Sequence, residues 1–91
     1  MNYSEQQLKE IQRLASLFAT IEDIAVMIDV DPDRLKEDIK CDDDAKKAYQ
    51  LGKTMRMLEL REIEIEQAKL GSTVAIDLIQ KYINKQQLSE E

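Results

Sequence analysis

TIEDIAVMIDVDPDRLKEDI, running from Thr20 to Ile39, is the stretch whose reading decides the fold. Thr20 is placed to accept from the backbone of Asp23 and so to start a helix, on which Ile24, Ala25 and Ile28 share one side. That helix is expected to end near Ile28. Asp29 then takes the turn position where glycine is common, and aspartate tolerates a left-handed backbone better than most residues. Asp31 caps the next helix, Pro32 stands in its first turn where a missing N–H costs nothing, and Leu35 and Ile39 anchor it. Ala25, followed by Asp29 at +4, Val30 at +5 and Leu35 at +10, has the spacing of two short helices packed across a tight turn, the helix-turn-helix arrangement. The charge runs against the usual use of that arrangement. From Asp29 to Asp44 eight acidic residues face only Arg34, Lys36 and Lys40, so this stretch supplies −5 of the chain's formal −6. Phosphates are repelled there.

Working outward, Ser4 and Gln7 form a capping-box pattern, and Leu8, Ile11, Leu14, Ala15 and Phe18 recur at helical spacing. A first helix is therefore expected from Glu5 to Leu17 or Phe18. On the other side, Asp42, Asp43 and Asp44 gather negative charge where a helix N-terminus favours it. From Ala45 to Leu70 there is no proline and only Gly52, which predicts one long helix of about 25 residues, well beyond the globular mean of about 11–12. A helical wheel puts Leu51, Met55, Leu58 and Ile65 on one side and Met57, Leu60 and Ile63 on roughly the opposite one. One protomer can hardly cover both. Gly71 ends this helix, Ser72 caps another, and Ala75, Leu78, Ile79, Tyr82 and Ile83 give the last helix an apolar stripe. The polar tail from Gln86 onward is expected to fray.

The predicted fold is thus all-α: an N-terminal three-helix helix-turn-helix head, then a long helix and a shorter antiparallel helix forming a helical hairpin, the whole oligomeric. The regions expected are 1–41 for the head, 42–86 for the hairpin and 87–91 for the tail. A composition with 4% aromatic residues, no Trp, two Gly and one Pro agrees with long helices and few turns. No internal repeat is visible.

Composition also closes off chemistry. The chain has no His and a single Cys41, which is read as a reduced residue between helices, so imidazole catalysis and an internal disulfide are excluded. No Gly-rich phosphate loop or nucleophile elbow occurs, and no enzyme activity, cofactor or metal is expected. Asp42 to Asp44 are consecutive on a helix, about 100° apart, and cannot converge on one ion. Glu59, Glu62, Glu64 and Glu66, interleaved with Arg61 and Lys69, read as a charged helix face. No membrane-spanning run and no secretory signal are seen, so a cytoplasmic location is expected.

Positive charge collects between Ala45 and Arg61, where Lys46, Lys47, Lys53, Arg56 and Arg61 meet only Glu59. Lys46, Lys53 and Arg56 fall within about a quarter-turn of the wheel, close enough to follow one phosphate track. A solvated face balancing the acidic head is the simpler explanation of them. In the head, Arg34, Lys36 and Lys40 are what a recognition helix would offer, with Asp33 and Glu37 among them. Tyr3 and Tyr49 read as packing residues rather than base-stacking platforms.

Taken in order, Thr20-Ile21-Glu22-Asp23-Ile24-Ala25, the turn Ile28-Asp29-Val30-Asp31, the acidic-then-basic run Asp42 to Lys53 and the junction Gln67 to Ile76 resemble the small terminase subunits of tailed phages. The resemblance extends from about Ile11 to Tyr82 and is carried most by Gly52-Lys53 and by Ala68 to Ala75. It implies a non-enzymatic protein that assembles into rings through a central helical hairpin and recognises double-stranded viral DNA. It also implies regulation of a separate terminase large subunit, the ATP-driven packaging motor. DNA contacts would come from Arg34, Lys36 and Lys40 or, on charge grounds, from Lys46, Lys53 and Arg56. The oligomer interface would use Met57, Leu60 and Ile63, with Met55 and Leu58. Two features depart from the pattern: Asp29 replaces an easier turn residue, and Asp31, Asp33, Glu37 and Asp38 make the second helix of the motif acidic. They keep open an alternative, a protein-interaction or virion structural adaptor with a degenerate motif that docks on a basic partner. A sequence-specific repressor ranks below both, because its recognition helix would work against its own charge.

Overall fold

The computed structural model describes residues 3–90, and these fold into five α-helices without a strand. They are α1 (Glu5–Ser16), α2 (Ile21–Ile28), α3 (Pro32–Cys41), α4 (Asp43–Lys69) and α5 (Thr73–Glu90). Met1, Asn2 and Glu91, the extremes of the expected head and tail, lie outside the described residues. The chain divides into two compact units, Met1–Met57 and Leu58–Glu91.

Each helix start is made by the side chain the sequence offers. Ser4 Oγ accepts from Gln7 N while the Gln7 carboxamide accepts from Ser4 N, closing the capping box. Thr20 accepts from Asp23 N at 3.1 Å and Asp31 from Arg34 N at 3.0 Å. Asp42 Oδ1 accepts from the amides of Asp44 and Ala45, so the first of the three aspartates is a cap, as its position suggested. Ser72 does the same for Ala75 N at 3.3 Å.

Three helix ends close in one way with three different residues. Phe18, Asp29 and Gly71 have φ of 59°, 59° and 96°, and the next residue donates back to the carbonyls of Leu14, Ala25 and Gln67 respectively. For Gly71 this conformation is free of strain. For Asp29 it is tolerated, as expected from the turn. Phe18 was expected to lie on or beside the end of the first helix, but α1 stops at Ser16 because the Phe18 backbone turns left-handed at a cost of about 1–2 kcal/mol. The polar tail expected to fray from Gln86 is instead helical to Glu90. Gln86, Gln87 and Leu88 are good helix formers, and Ser89 Oγ donates to Gln86 O at 3.1 Å.

The core of the first unit is built on Ile11, Ile24 and Leu35, whose side chains are fully buried, with Leu14, Ala15, Ala25, Ile28 and Ile39 around them. Burying each large aliphatic is worth about 1.5–3 kcal/mol. α4 enters this core through small residues, Ala45 and Ala48, which lie on one side of the helix with Gly52. A Cβ on Gly52 would overlap the carbonyl oxygen of Gln12 and lie 3.0 Å from Ala15 Cβ. The backbones of α1 and α4 therefore touch. The first unit accordingly reaches beyond the 1–41 expected for the head.

One polar group is buried with this core. Asp38 accepts from Tyr3 Oη at 2.6 Å and from Arg34 Nε at 3.3 Å, which ties the segment before α1 to α3. The Tyr3 hydrogen bond, followed by the Arg34 charge, holds the Asp38 carboxyl below its ordinary value against the opposing effect of burial. Burial and then Asp38 raise the Tyr3 phenol above its own. A carboxyl lowered on folding stabilises above its unfolded pKa of about 3.9 and loses that contribution as pH falls through the folded value. A phenol raised on folding stabilises below about pH 10 and loses its contribution as pH climbs beyond. Tyr3→Phe is therefore expected to flatten both limbs of a pH–stability profile. Urea unfolding from pH 3 to 11 checks this, and unchanged acid and alkaline limbs would refute it.

In the second unit the last turns of α4 lead through Leu70–Ser72 into α5, with Ala75 buried and Leu78, Ile79 and Tyr82 half-buried. Ile83, expected in the same stripe, is 41% exposed.

Candidate functional site

The six basic residues singled out for nucleic acid all belong to the first unit, where the structure gives them different surroundings. On α3, Arg34 Nε is held by Asp38, while Lys36 and Lys40 are exposed beside equally exposed Asp33 and Glu37. On α4, Lys46 is exposed. Lys53 Nζ lies 5.0 Å from the centre of the Tyr49 ring, a cation–π contact on a half-buried tyrosine. Arg56 Nε donates to Ser16 O at 2.9 Å, placing its charge at the C-terminus of α1 where the helix dipole favours it. Arg56 thus also ties α4 to α1, while the Lys53 contact stays within α4. Tyr3 and Tyr49 pack against the core, as their reading as packing residues required.

Arg34 and Asp38 are one helical turn apart and pair across it, which removes one cation and one anion from the face α3 presents. Cys41, expected between helices, is the last residue of α3 and is exposed. Its thiol donates to Glu37 at 3.5 Å, and that carboxylate raises its pKa, which keeps it protonated and poorly nucleophilic.

The apolar residues of α4 are uncovered on both sides of the wheel. Leu51, Met55, Leu58 and Ile65 are 41–50% exposed, and Met57, Leu60 and Ile63 are 42–57% exposed. What α4 buries is its stripe of small residues instead.

No family model, curated protein or solved structure matches the chain.

Sequence reasoning missed two features. α2 presents Glu22, Asp23, Val26 and Met27 on one outward face, with Val26 74% and Met27 60% exposed. The i, i+1, i+4, i+5 spacing of these four residues was the signal available. In the second unit, the Arg61 guanidinium lies 4.4 Å from the Tyr82 ring centre, and Tyr82 Oη donates to Glu64, which with burial raises the phenol. Arg61 and Glu64 stand three apart on one helix face, but nothing in their spacing names a tyrosine on another helix. Arg61 and Glu64, read in the sequence as part of a solvated charged face, are thus partly withdrawn from water.

No helix among the described residues is long and apolar enough to cross a membrane, and no group of three or more His, Cys, Asp or Glu among them could hold a metal ion.

Proposed function

We propose that the chain is a non-enzymatic, self-assembling protein with a helix-turn-helix head that acts as small terminase subunits do. It gathers double-stranded viral DNA on an oligomeric scaffold for a separate large-subunit motor. The observation that carries this reading is the exposure of seven large apolar side chains on α4, from Leu51 to Ile65. A lone protomer rarely leaves such rows in water, whereas copies packed through them would cover both.

The left-handed Asp29 between α2 and α3, and the burial of Ala25 and Leu35 across it, support the helix-turn-helix assignment. Lys46, Lys53 and Arg56 supply the phosphate contacts, ahead of Lys36 and Lys40 on the acidic α3 itself. Each contact is weak, and an assembly multiplies it. The acidic face of α2 favours the second reading, an adaptor that docks on a basic partner.

Two measurements test the proposal. Leu60→Glu with Ile63→Glu is expected to reduce the sedimenting mass from an assembly to smaller species, and an unchanged mass would remove the interface. In a gel-shift titration, the parent is expected to retain duplex DNA at low salt and Lys46→Glu with Lys53→Glu to weaken retention at least tenfold. Failure of the parent to retain any duplex at low salt would leave the adaptor reading in its place.

A further inference from the structure

Arg34 stands in the first turn of α3, the part of a helix-turn-helix unit's second helix that brings side chains to base edges. Its root is fixed from behind. Asp38, one turn on, accepts from Arg34 Nε at 3.3 Å, and Tyr3 Oη donates to the same carboxylate oxygen at 2.6 Å. Asp38 is itself buried, so the acceptor that holds the arginine cannot swing away. Of the five N–H donors of the guanidinium, this bond takes one, and among the described residues no partner takes the terminal nitrogens. The Arg34 side chain is 53% exposed, which leaves those nitrogens as a preset fork at the surface.

A planar fork fits two acceptors side by side, as in a carboxylate, a phosphate or the O6 and N7 atoms of guanine. The neighbours of Arg34 choose among these. Asp33 precedes it and Glu37 follows it by three, both exposed, so an approaching anion meets two negative charges beside a cation that Asp38 already offsets. A neutral edge meets no such penalty. A guanine–cytosine pair can use the carboxylates as well, because the N4 amino group of cytosine donates into the same major groove. Asp33 is free to accept it, and Glu37 holds no donor but the Cys41 thiol.

We propose that Arg34 reads guanine through O6 and N7 in the major groove of duplex DNA, with Asp38 and Tyr3 as the positioning residues that hold its guanidinium. The inference rests on the DNA reading above and adds a base preference to it, since contacts from Lys46, Lys53 and Arg56 to phosphate carry no sequence information. It also gives the acidity of α3 a use. Carboxylates that weaken attraction to any phosphate sharpen the choice of the one base pair whose two edges suit both charges.

Base analogues test this without altering the protein. Gel-shift titrations compare a guanine–cytosine duplex, the same duplex carrying 7-deazaguanine, which lacks the N7 acceptor, and an adenine–thymine duplex. The unmodified guanine–cytosine duplex is expected to be retained about tenfold more tightly than the other two, the size of one good bidentate contact. Arg34→Ala should erase that difference and leave the adenine–thymine duplex bound near parental strength, the mark of a lost base contact. Tyr3→Phe, which releases Asp38 without changing any charge on α3, should shrink the difference. A 7-deazaguanine duplex retained as tightly as its unmodified form, or an Arg34→Ala chain weakened equally toward all three, overturns guanine reading and leaves the phosphate contacts standing. A Tyr3→Phe chain with the full parental preference overturns the positioning role. A parent that retains no duplex overturns the DNA reading itself.

Discussion

Gly52→Ala is expected to destabilise the first unit by about 2 kcal/mol, although alanine is the better helix former. Replacing glycine inside a helix normally gains about 1 kcal/mol, and overpacking a well-filled core costs about 1–3 kcal/mol, more where the obstacle is backbone. Here the added carbon meets the Gln12 carbonyl oxygen, which cannot rotate away as a side chain can. The helices must separate, and that loosens Ala45 and Ala48 as well. Gly52→Leu is expected to leave the unit unfolded. Urea unfolding followed by circular dichroism decides the sign, and a Gly52→Ala chain more stable than the parent would show that α1 and α4 do not approach so closely.

Leu35→Ala is expected to cost more, about 3 kcal/mol, within the range of about 2–5 kcal/mol for emptying a buried leucine site. Leu35 is fully buried between the helices that flank the Asp29 turn, so its loss leaves a cavity that neither short helix can close by itself. Marginal domains have only about 5–15 kcal/mol of stability, and this change removes a large part of it. Leu60→Ala, at a site 42% exposed, provides the contrast: it should move the unfolding midpoint of the dilute protein little and act on assembly instead. Equal losses from the two substitutions would mean that Leu35 is not at the centre of the core.

The features that these variants probe were unequally legible. Helix starts were readable because a cap is local. Ser4, Thr20, Asp31, Asp42 and Ser72 each bond to an amide within three residues, so the pattern contains its own partner. Asp29 was readable for the same reason. Phe18 was not, since an aromatic residue carries no preference for a left-handed backbone. The largest gap concerned α4. Hydrophobicity drew attention to its leucines, isoleucines and methionines, yet the side that packs inward is Ala45, Ala48 and Gly52. How closely two helices approach depends on volume, and a scale of greasiness does not record volume. In the candidate site, clustering by charge found Lys53 and Arg56; the contact of Lys53 with Tyr49, four residues away on the same helix, was within reach of the sequence, whereas the bond from Arg56 to Ser16 joins residues forty apart and was not.

The contact at Gly52 also bears on ancestry. Surface charges such as those of α5 can drift with little penalty, so distant kin of this chain need share few of them. A crossing that admits a hydrogen atom but no methyl group leaves inheritance no such latitude. Wherever descendants preserve this junction, glycine should stand four places after the second of two alanines spaced by three, and that sparse signature would outlast any overall likeness.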